Sequence, residues 1–349
     1  MFVKDLRLTG RAVRLAFAVC AALCASSTAL SEVITGTNIM APADTPAKAI
    51  YDLSFFVLGI TGAIFVIVTA LLIYVILRFK QRATDDDREP PQIYGSNQVE
   101  MAWTVVPVLI VVVLFLTTAR VIFGVQDAPR PKDAVDVTVI GHQFWWEFRY
   151  PKQGIVTANE LHVPVSDPKS PTPTFMTLLS ADVDHSFWVP ELGGKTDLIP
   201  NHPNSMWIDP HTAGVYLGQC AQFCGTQHAK MLLRVVVQPR AEFDKWLSDQ
   251  QKTASQDANV ATGRHVFETQ SCINCHTVSG TVATGRFGPD LSHLASRQTI
   301  ASGAAENTSA ELRSWIRDPD GIKPGCLMPA MNLNDQQLDQ LTAYLTTLH

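Results

Sequence analysis

The sequence predicts a multidomain protein: a transmembrane α-helical hairpin, then an all-β sandwich, then a small all-α domain. Three observations predict it. Two long apolar runs lie before residue 125, period-two alternation of β-branched and aromatic residues begins near Val135, and three helix-like segments follow a polar stretch near residue 250. A chain of 349 residues has room for two or three domains. The formal net charge of -5 is small for that size and excludes a large basic surface, so no nucleic acid partner is expected.

The N-terminus places Lys4, Arg7, Arg11 and Arg14 before an apolar run from Leu15 to about Leu23, then small residues from Ala25 to Ala29. That order predicts a cleaved signal peptide over residues 1–30, which would remove Cys20 and Cys24. The competing reading is a further membrane helix, but the run falls short of the ~20 residues needed to span a bilayer. Phe55–Leu77 and Met101–Phe123 are long enough, and residues 50–125 are assigned to two transmembrane helices. Pro107 interrupts the second, which a membrane helix tolerates. Between them lie Arg78, Lys80, Arg82 and Arg88, set against Asp85, Asp86, Asp87 and Glu89. Acidic residues count for little in orientation, so this loop is expected in the cytoplasm, with both chain ends on the periplasmic side.

Val135–Val139, Phe175–Leu179 and Met231–Val237 alternate as strands do, and Pro, Gly and Asn clusters separate them. Residues 126–240 therefore predict a β-sandwich or barrel. Residues 241–258 read as the connection to the next domain, opening with a helical segment, Ala241–Asp249, and continuing into the polar Gln250–Asn259. Helix-like segments at Val260–Glu268, Ser309–Arg317 and Asp335–Leu348 make residues 259–349 a small helical domain.

The cysteines fall in close pairs beside His and Met, which points to metal and haem rather than a disulfide framework. Cys220, Cys224, His228 and Met231 lie in one short loop between two strands. Soft sulfur ligands select copper, and a thioether donor argues against the zinc alternative. Two cysteines aimed at one place can bridge two coppers, sharing the unpaired electron so that bond lengths change little on reduction. A second imidazole must come from elsewhere, and His185 is the candidate, expected at the end of a strand.

This loop, the segment around His185 and the helical hairpin resemble subunit II of haem-copper cytochrome c oxidases over about Ile50–Pro239. The resemblance implies a cupredoxin-like fold for the β-domain and a dinuclear copper site of the CuA type. By it, Cys220 and Cys224 bridge the metals, His185 and Met231 complete one, and His228 with the backbone carbonyl of Gln222 completes the other. The family usually has Glu at the position of Gln222, whose side chain helps hold a magnesium or manganese ion at the catalytic-subunit interface. It commonly has Pro-Gly-Arg where this chain reads Pro200-Asn201-His202. Gly141-His142-Gln143-Phe144-Trp145-Trp146 resembles the family's aromatic patch, with Phe144 at the electron-entry Trp position. Phe144, Trp145 and Trp146 are therefore expected on the electron path, with packing the competing reading for Trp146. Glu100, at the start of the second helix, matches a family Glu that helps admit protons.

Cys272-Ile273-Asn274-Cys275-His276 is an attachment signature for c-type haem: two thioethers and a proximal imidazole. The opposite axial ligand is expected to be Met328 or Met331, with Met328 favoured, since Met/His ligation raises the potential into electron-carrier range. Pro324-Gly325-Cys326-Leu327-Met328-Pro329 resembles the Met ligand loop of class I cytochromes c, and Gly288-Pro289-Asp290-Leu291 the segment whose Pro carbonyl orients the proximal His. Cys326 reads as a buried inert thiol; His265 and His293 read as surface or packing residues.

The resemblances together imply the electron-entry subunit of a respiratory oxygen reductase with a fused C-terminal cytochrome c domain. It would be a multi-pass protein of the bacterial inner membrane. Its implied partners are the haem-copper catalytic subunit I, further oxidase subunits, the lipid bilayer, and cytochrome c or a quinol:cytochrome c reductase as donor. Three alternatives stay open: a copper-free quinol-oxidase-type subunit II, a nitric oxide reductase subunit carrying CuA, and nitrous oxide reductase. Cys220, Cys224 and Met231 count against the first. Only the catalytic partner separates the second, and the membrane hairpin with its fused cytochrome counts against the third.

Overall fold

A computed structural model describes residues 37–80, 92, 94–128, 130–132, 134–254 and 257–349. The expected signal peptide and most of the charged loop between the membrane helices lie outside the described residues. Helix α1 spans Thr45–Arg78 and α2 spans Asn97–Gln126. At 1.5 Å per residue they are about 51 and 45 Å long, well over the ~30 Å hydrocarbon layer. Their apolar side chains face outward, Phe65 68% and Leu77 70% exposed, as lipid-facing residues must be. Pro107 sits inside α2 without ending it.

The β-domain is held against the N-terminal end of α1 and the C-terminal end of α2. Thr45 Oγ1 donates to Asp209 at 2.8 Å, and Trp207 Nε1 donates to the carbonyl of Val125 at 2.5 Å. Ten strands form two five-stranded sheets. The first runs β3 (Ile155–Ala158), β2 (Trp145–Tyr150), β1 (Val135–His142), β5 (Thr174–Ser180), β8 (Asn204–Ile208). The second runs β4 (Glu160–Pro164), β10 (Leu232–Gln238), β9 (Gly214–Cys220), β6 (His185–Trp188), β7 (Thr196–Leu198). Alternation along the strands turns Val137, Val139, Phe148, Leu161, Leu178, Phe187 and Val235 inward to one shared core. The β1/β5 and β4/β10 pairs are parallel and the others antiparallel.

Helix α3 (Arg240–Gln250) belongs to this core: Phe243 is fully buried in it, and Trp246 stacks on His162 at 4.2 Å. Of the stretch expected to connect the domains, only the residues after Gln250 lie outside α3.

The C-terminal domain packs α4 (Ala261–Thr269), the single turn α5 (Cys272–Cys275), α6 (Ser309–Arg317), α7 (Pro319–Ile322) and α8 (Asp335–Leu345) around a second core. Helix α8 starts at a capping box. Asn334 accepts from the Gln337 amide at 2.9 Å, and Gln337 accepts from the Asn334 amide at 3.1 Å.

Candidate metal and haem centres

The first centre sits where β9, β10 and β6 meet. Strands β9 and β10 pair antiparallel, and the Cys220 amide donates to the carbonyl of Met231 at 2.9 Å, closing the base of the loop between them. That contact puts Cys220 and Met231 face to face while residues 221–230 bulge outward. On the other side, β6 pairs with β9 through Phe187 and Cys220, which brings His185 beside the loop. The sequence reading placed His185 at the end of a strand; it opens β6 instead, after the turn that follows β5.

The donor atoms converge. The two thiols stand 3.8 Å apart, with His185 Nδ1 3.9 Å from Cys220 Sγ. His228 Nδ1 lies 3.8 Å and Met231 Sδ 3.9 Å from Cys224 Sγ, and the Gln222 carbonyl 3.1 Å from Cys220 Sγ. His185, Cys220, Cys224 and Met231 are buried, while Gln222 is at the surface and His228 half-buried. A zinc tetrahedron uses four donors; six converge here, one a thioether and one a carbonyl, which fits soft copper better. Gly141 leaves the room: a Cβ there would lie 2.7 Å from the His185 ring.

The two thiols share protons unequally. A hydrogen bond from Cys224 holds the Cys220 thiol well below its usual value, against the opposing effect of burial, and His185 lowers it further. The same pairing, with burial, pushes Cys224 up. Burial lowers His185, but hydrogen bonds to Asp182 and Cys220 outweigh it and leave the ring raised. Metal binds the deprotonated thiolates and the neutral imidazole, so protons compete with it at these ligands and do so more as pH falls. Copper occupancy is expected to drop as pH falls, measured by dialysis over a pH series with metal analysis; flat retention would contradict this.

Asp182 escaped the sequence reading. Its Oδ1 stands 2.8 Å from His185 Nε2, leaving Nδ1 for the metal side, and its other oxygen accepts from the Gln143 amide at 2.6 Å. Such outer partners fix ring orientation and ligand basicity, so Asp182→Asn should weaken copper affinity ~10–100-fold. Competition titration with a chelator measures it, and unchanged affinity would remove Asp182 from the site. Its i,i+3 spacing to His185 was the available signal.

The three aromatics differ in setting. Trp146 is fully buried, edge-on to His185 at 6.1 Å and to Phe187 at 5.8 Å. Trp145 stacks on His142 at 4.2 Å. Phe144 lies against Gly225 of the 221–230 loop, where an added Cβ would come within 2.9 Å of its ring.

The second centre is an apolar cavity of about 300 Å³ lined by Cys272, Cys275, His276, Met328 and Met331. The structure brings both candidate methionines to it. His276 Nδ1 stands 2.8 Å from the Pro289 carbonyl, so the second ring nitrogen is free to face the cavity. Burial lowers the His276 ring below its usual value, and the Pro289 contact only partly offsets this, which favours the neutral form that binds metal. Gly288 admits the ring closely, since a Cβ there would lie 2.7 Å from it. Arg297 is 9% exposed, lines the cavity, and its Nε has no partner among the described residues. Unbridged cysteine thiols, a neutral imidazole and a buried cation fit a haem with its carboxylates. No local pattern marks Arg297 in the sequence.

Cys326 is half-buried, with its thiol 3.1 Å from the Met328 carbonyl. His265 is at the surface and His293 is buried in packing. Glu100 lies exposed in the first turn of α2.

Three families match along the chain: cytochrome c oxidase subunit II, transmembrane domain, over residues 34–121; its periplasmic domain over 158–238; and cytochrome c over 260–349. Cytochrome c oxidase subunit 2 of Alkalihalophilus pseudofirmus is 34% identical over 314 residues, 88% of this chain and 89% of that protein. The same subunit of Bacillus sp. strain PS3 is 34% identical over 290 residues, 77% of this chain and 80% of that protein. Among solved structures, the periplasmic domain of subunit II of cytochrome oxidase from Bradyrhizobium japonicum is 27% identical with a TM-score of 0.32. That likeness covers 35% of this chain and 97% of that one.

Proposed function

The chain belongs to the cytochrome c oxidase subunit II family, carrying a fused cytochrome c domain, and from that premise we propose that it is the electron-entry subunit of a respiratory terminal oxidase. The observation that carries the proposal is the pair of thiols, Cys220 flanked by His185 and the Gln222 carbonyl and Cys224 flanked by His228 and Met231, each donor within 3.9 Å of a sulfur. Those residues would hold a dinuclear copper site, and Cys272, Cys275, His276 and Met328 a covalent haem c. Held there, a haem and a copper pair would supply one-electron redox chemistry, the capacity needed to pass electrons on to an oxygen-reducing catalytic subunit.

The protein's own residues set the conditions for that relay. Strands β6 and β9 hold His185 and Cys220, and the Cys220 amide ties Met231 to them, which limits reorganisation when the charge changes. Asp182 fixes His185, and the Pro289 carbonyl fixes His276. Phe144 lines the haem cavity and lies against Gly225, which makes it the aromatic step we assign between the two sites. Gln222 in place of Glu removes a carboxylate from the partner-facing loop, so an interface magnesium or manganese ion would need another ligand.

The chain is membrane-anchored and its partners are the other oxidase subunits. In our reading both soluble domains face the periplasm, subunit I binds the copper-loop side, and Glu100 lies near a proton-uptake path. The donor is cytochrome c or a quinol:cytochrome c reductase. Phe144→Ala is expected to slow haem-to-copper electron transfer in the purified complex, followed by flash reduction of the haem. A wild-type rate would take Phe144 off the path, and absence of copper from the complex would refute the functional assignment itself.

A further inference from the structure

The aromatic patch of the β-domain is covered, and what covers it is the chain's own cytochrome domain. Phe144 and Trp145 are only 8% and 9% exposed. Gln143, Phe144, Trp145 and Gln227 form one wall of the cavity that contains the haem-attachment cysteines. The cofactor site is thus built from two domains.

Hydrogen bonds across the seam hold it closed. Lys323, buried at 3% exposure, donates through Nζ to the Phe144 carbonyl at 2.6 Å. From the copper loop, Gln227 Nε2 donates to the carbonyls of Lys323 and Pro324 at 2.7 and 3.0 Å, and Lys230 Nζ donates to that of Ile322 at 2.9 Å. These carbonyls lie just before the Met328 loop, so the copper loop grips the segment that leads to the haem's axial ligand. A second grip lies at Glu160, 1% exposed, whose carboxylate accepts from the amides of Gln298 and Thr299, both at 2.8 Å, and from Thr299 Oγ1 at 3.1 Å. Beside it, Ser302 Oγ donates to the Leu232 carbonyl at 2.9 Å. Burial pushes the pKa of the Lys323 amine down to about 7. A buried amine and a buried carboxylate are tolerated only where their partners are in place, and the side-chain hydrogen bonds of Lys323 to Phe144 and of Glu160 to Gln298 and Thr299 all reach the opposite domain.

We propose that the cytochrome domain is a permanently docked donor: Glu160 and Lys323 fix it over the aromatic patch, so that a soluble donor cannot reach the copper domain and every electron enters through the haem. The proposal rests on the functional reading above and makes Glu160 and Lys323 positioning residues. The transfer it serves is one electron: a ferrous haem iron becomes ferric, the copper pair is reduced by one, and no bond or proton moves.

The test uses the purified oxidase complex with haem and copper loading verified. The haem is photoreduced and copper reduction followed from ~0.01 to ~1 M salt, over which the screening length falls from about 30 to 3 Å. A docked donor gives one phase whose rate changes less than about twofold, because no charge-steered encounter precedes transfer. In the Glu160→Ala/Lys323→Met double variant, the tethered domain must re-dock, so the rate should fall about tenfold and become salt-dependent. Lys323→Arg should keep most of the wild-type rate.

Three results would overturn the proposal: a wild-type rate that varies steeply with salt, soluble cytochrome c reducing copper ahead of haem, or a fully loaded double variant indistinguishable from wild type. If the double variant does not fold, the first two measurements decide alone. A complex lacking copper would refute the functional reading instead.

Discussion

Cys220→Ser is expected to empty the copper site and stop electron delivery to the catalytic subunit, while the haem spectrum of the same complex stays intact. Cys220 makes four of the site's contacts: with Cys224, His185, the Gln222 carbonyl and, through its amide, Met231. Oxygen is a harder donor than sulfur and does not bridge soft copper in the same way. Since changing outer-shell partners alone costs ~10–100-fold in metal affinity, losing this ligand should cost more than ~100-fold. Metal analysis and turnover with reduced cytochrome c measure it together. A variant that keeps its copper and its turnover would place the site elsewhere.

Gly263→Ala carries the largest expected effect on stability. Gly263 lies in α4 where it crosses α8, and a Cβ there would stand 1.9 Å from the Gln340 carbonyl oxygen and 2.8 Å from Tyr344 Cβ. The obstacle is helix backbone, so the two helices must separate, taking Val266, Phe267, Leu341 and Tyr344 out of contact. Overpacking of this kind costs ~1–3 kcal/mol, and each kcal/mol lowers the melting temperature of a domain this size by about 4–8 °C. A fall of roughly 10 °C or more is expected in melts followed by haem absorbance. A shift under about 2 °C would mean the helices cross differently.

What the sequence disclosed follows from the range of each interaction. The membrane helices were legible because hydrocarbon demands some twenty consecutive apolar residues. The Cys220–Met231 and Cys272–His276 clusters were legible because their members sit within a dozen residues of one another. His185 was identified by resemblance and chemistry, but its place in the strand was misread, since the turn after Ser180 leaves no strong sequence mark. Asp182 was legible in principle, three residues from a ligand. The domain seam was not: Glu160 meets Thr299 across 139 positions and Lys323 meets Phe144 across 179. Buried charges of that kind look like ordinary surface residues until the partner domain is placed. The same holds for Arg297, whose place in the cavity wall has no local pattern.

The most direct test of the account is the copper content and electron paramagnetic resonance of the intact complex. Two coppers on this chain, with one unpaired electron coupled equally to both nuclei and lost in Cys220→Ser, is the predicted result. A single copper with the electron localised on it, or no copper on this chain, would contradict it.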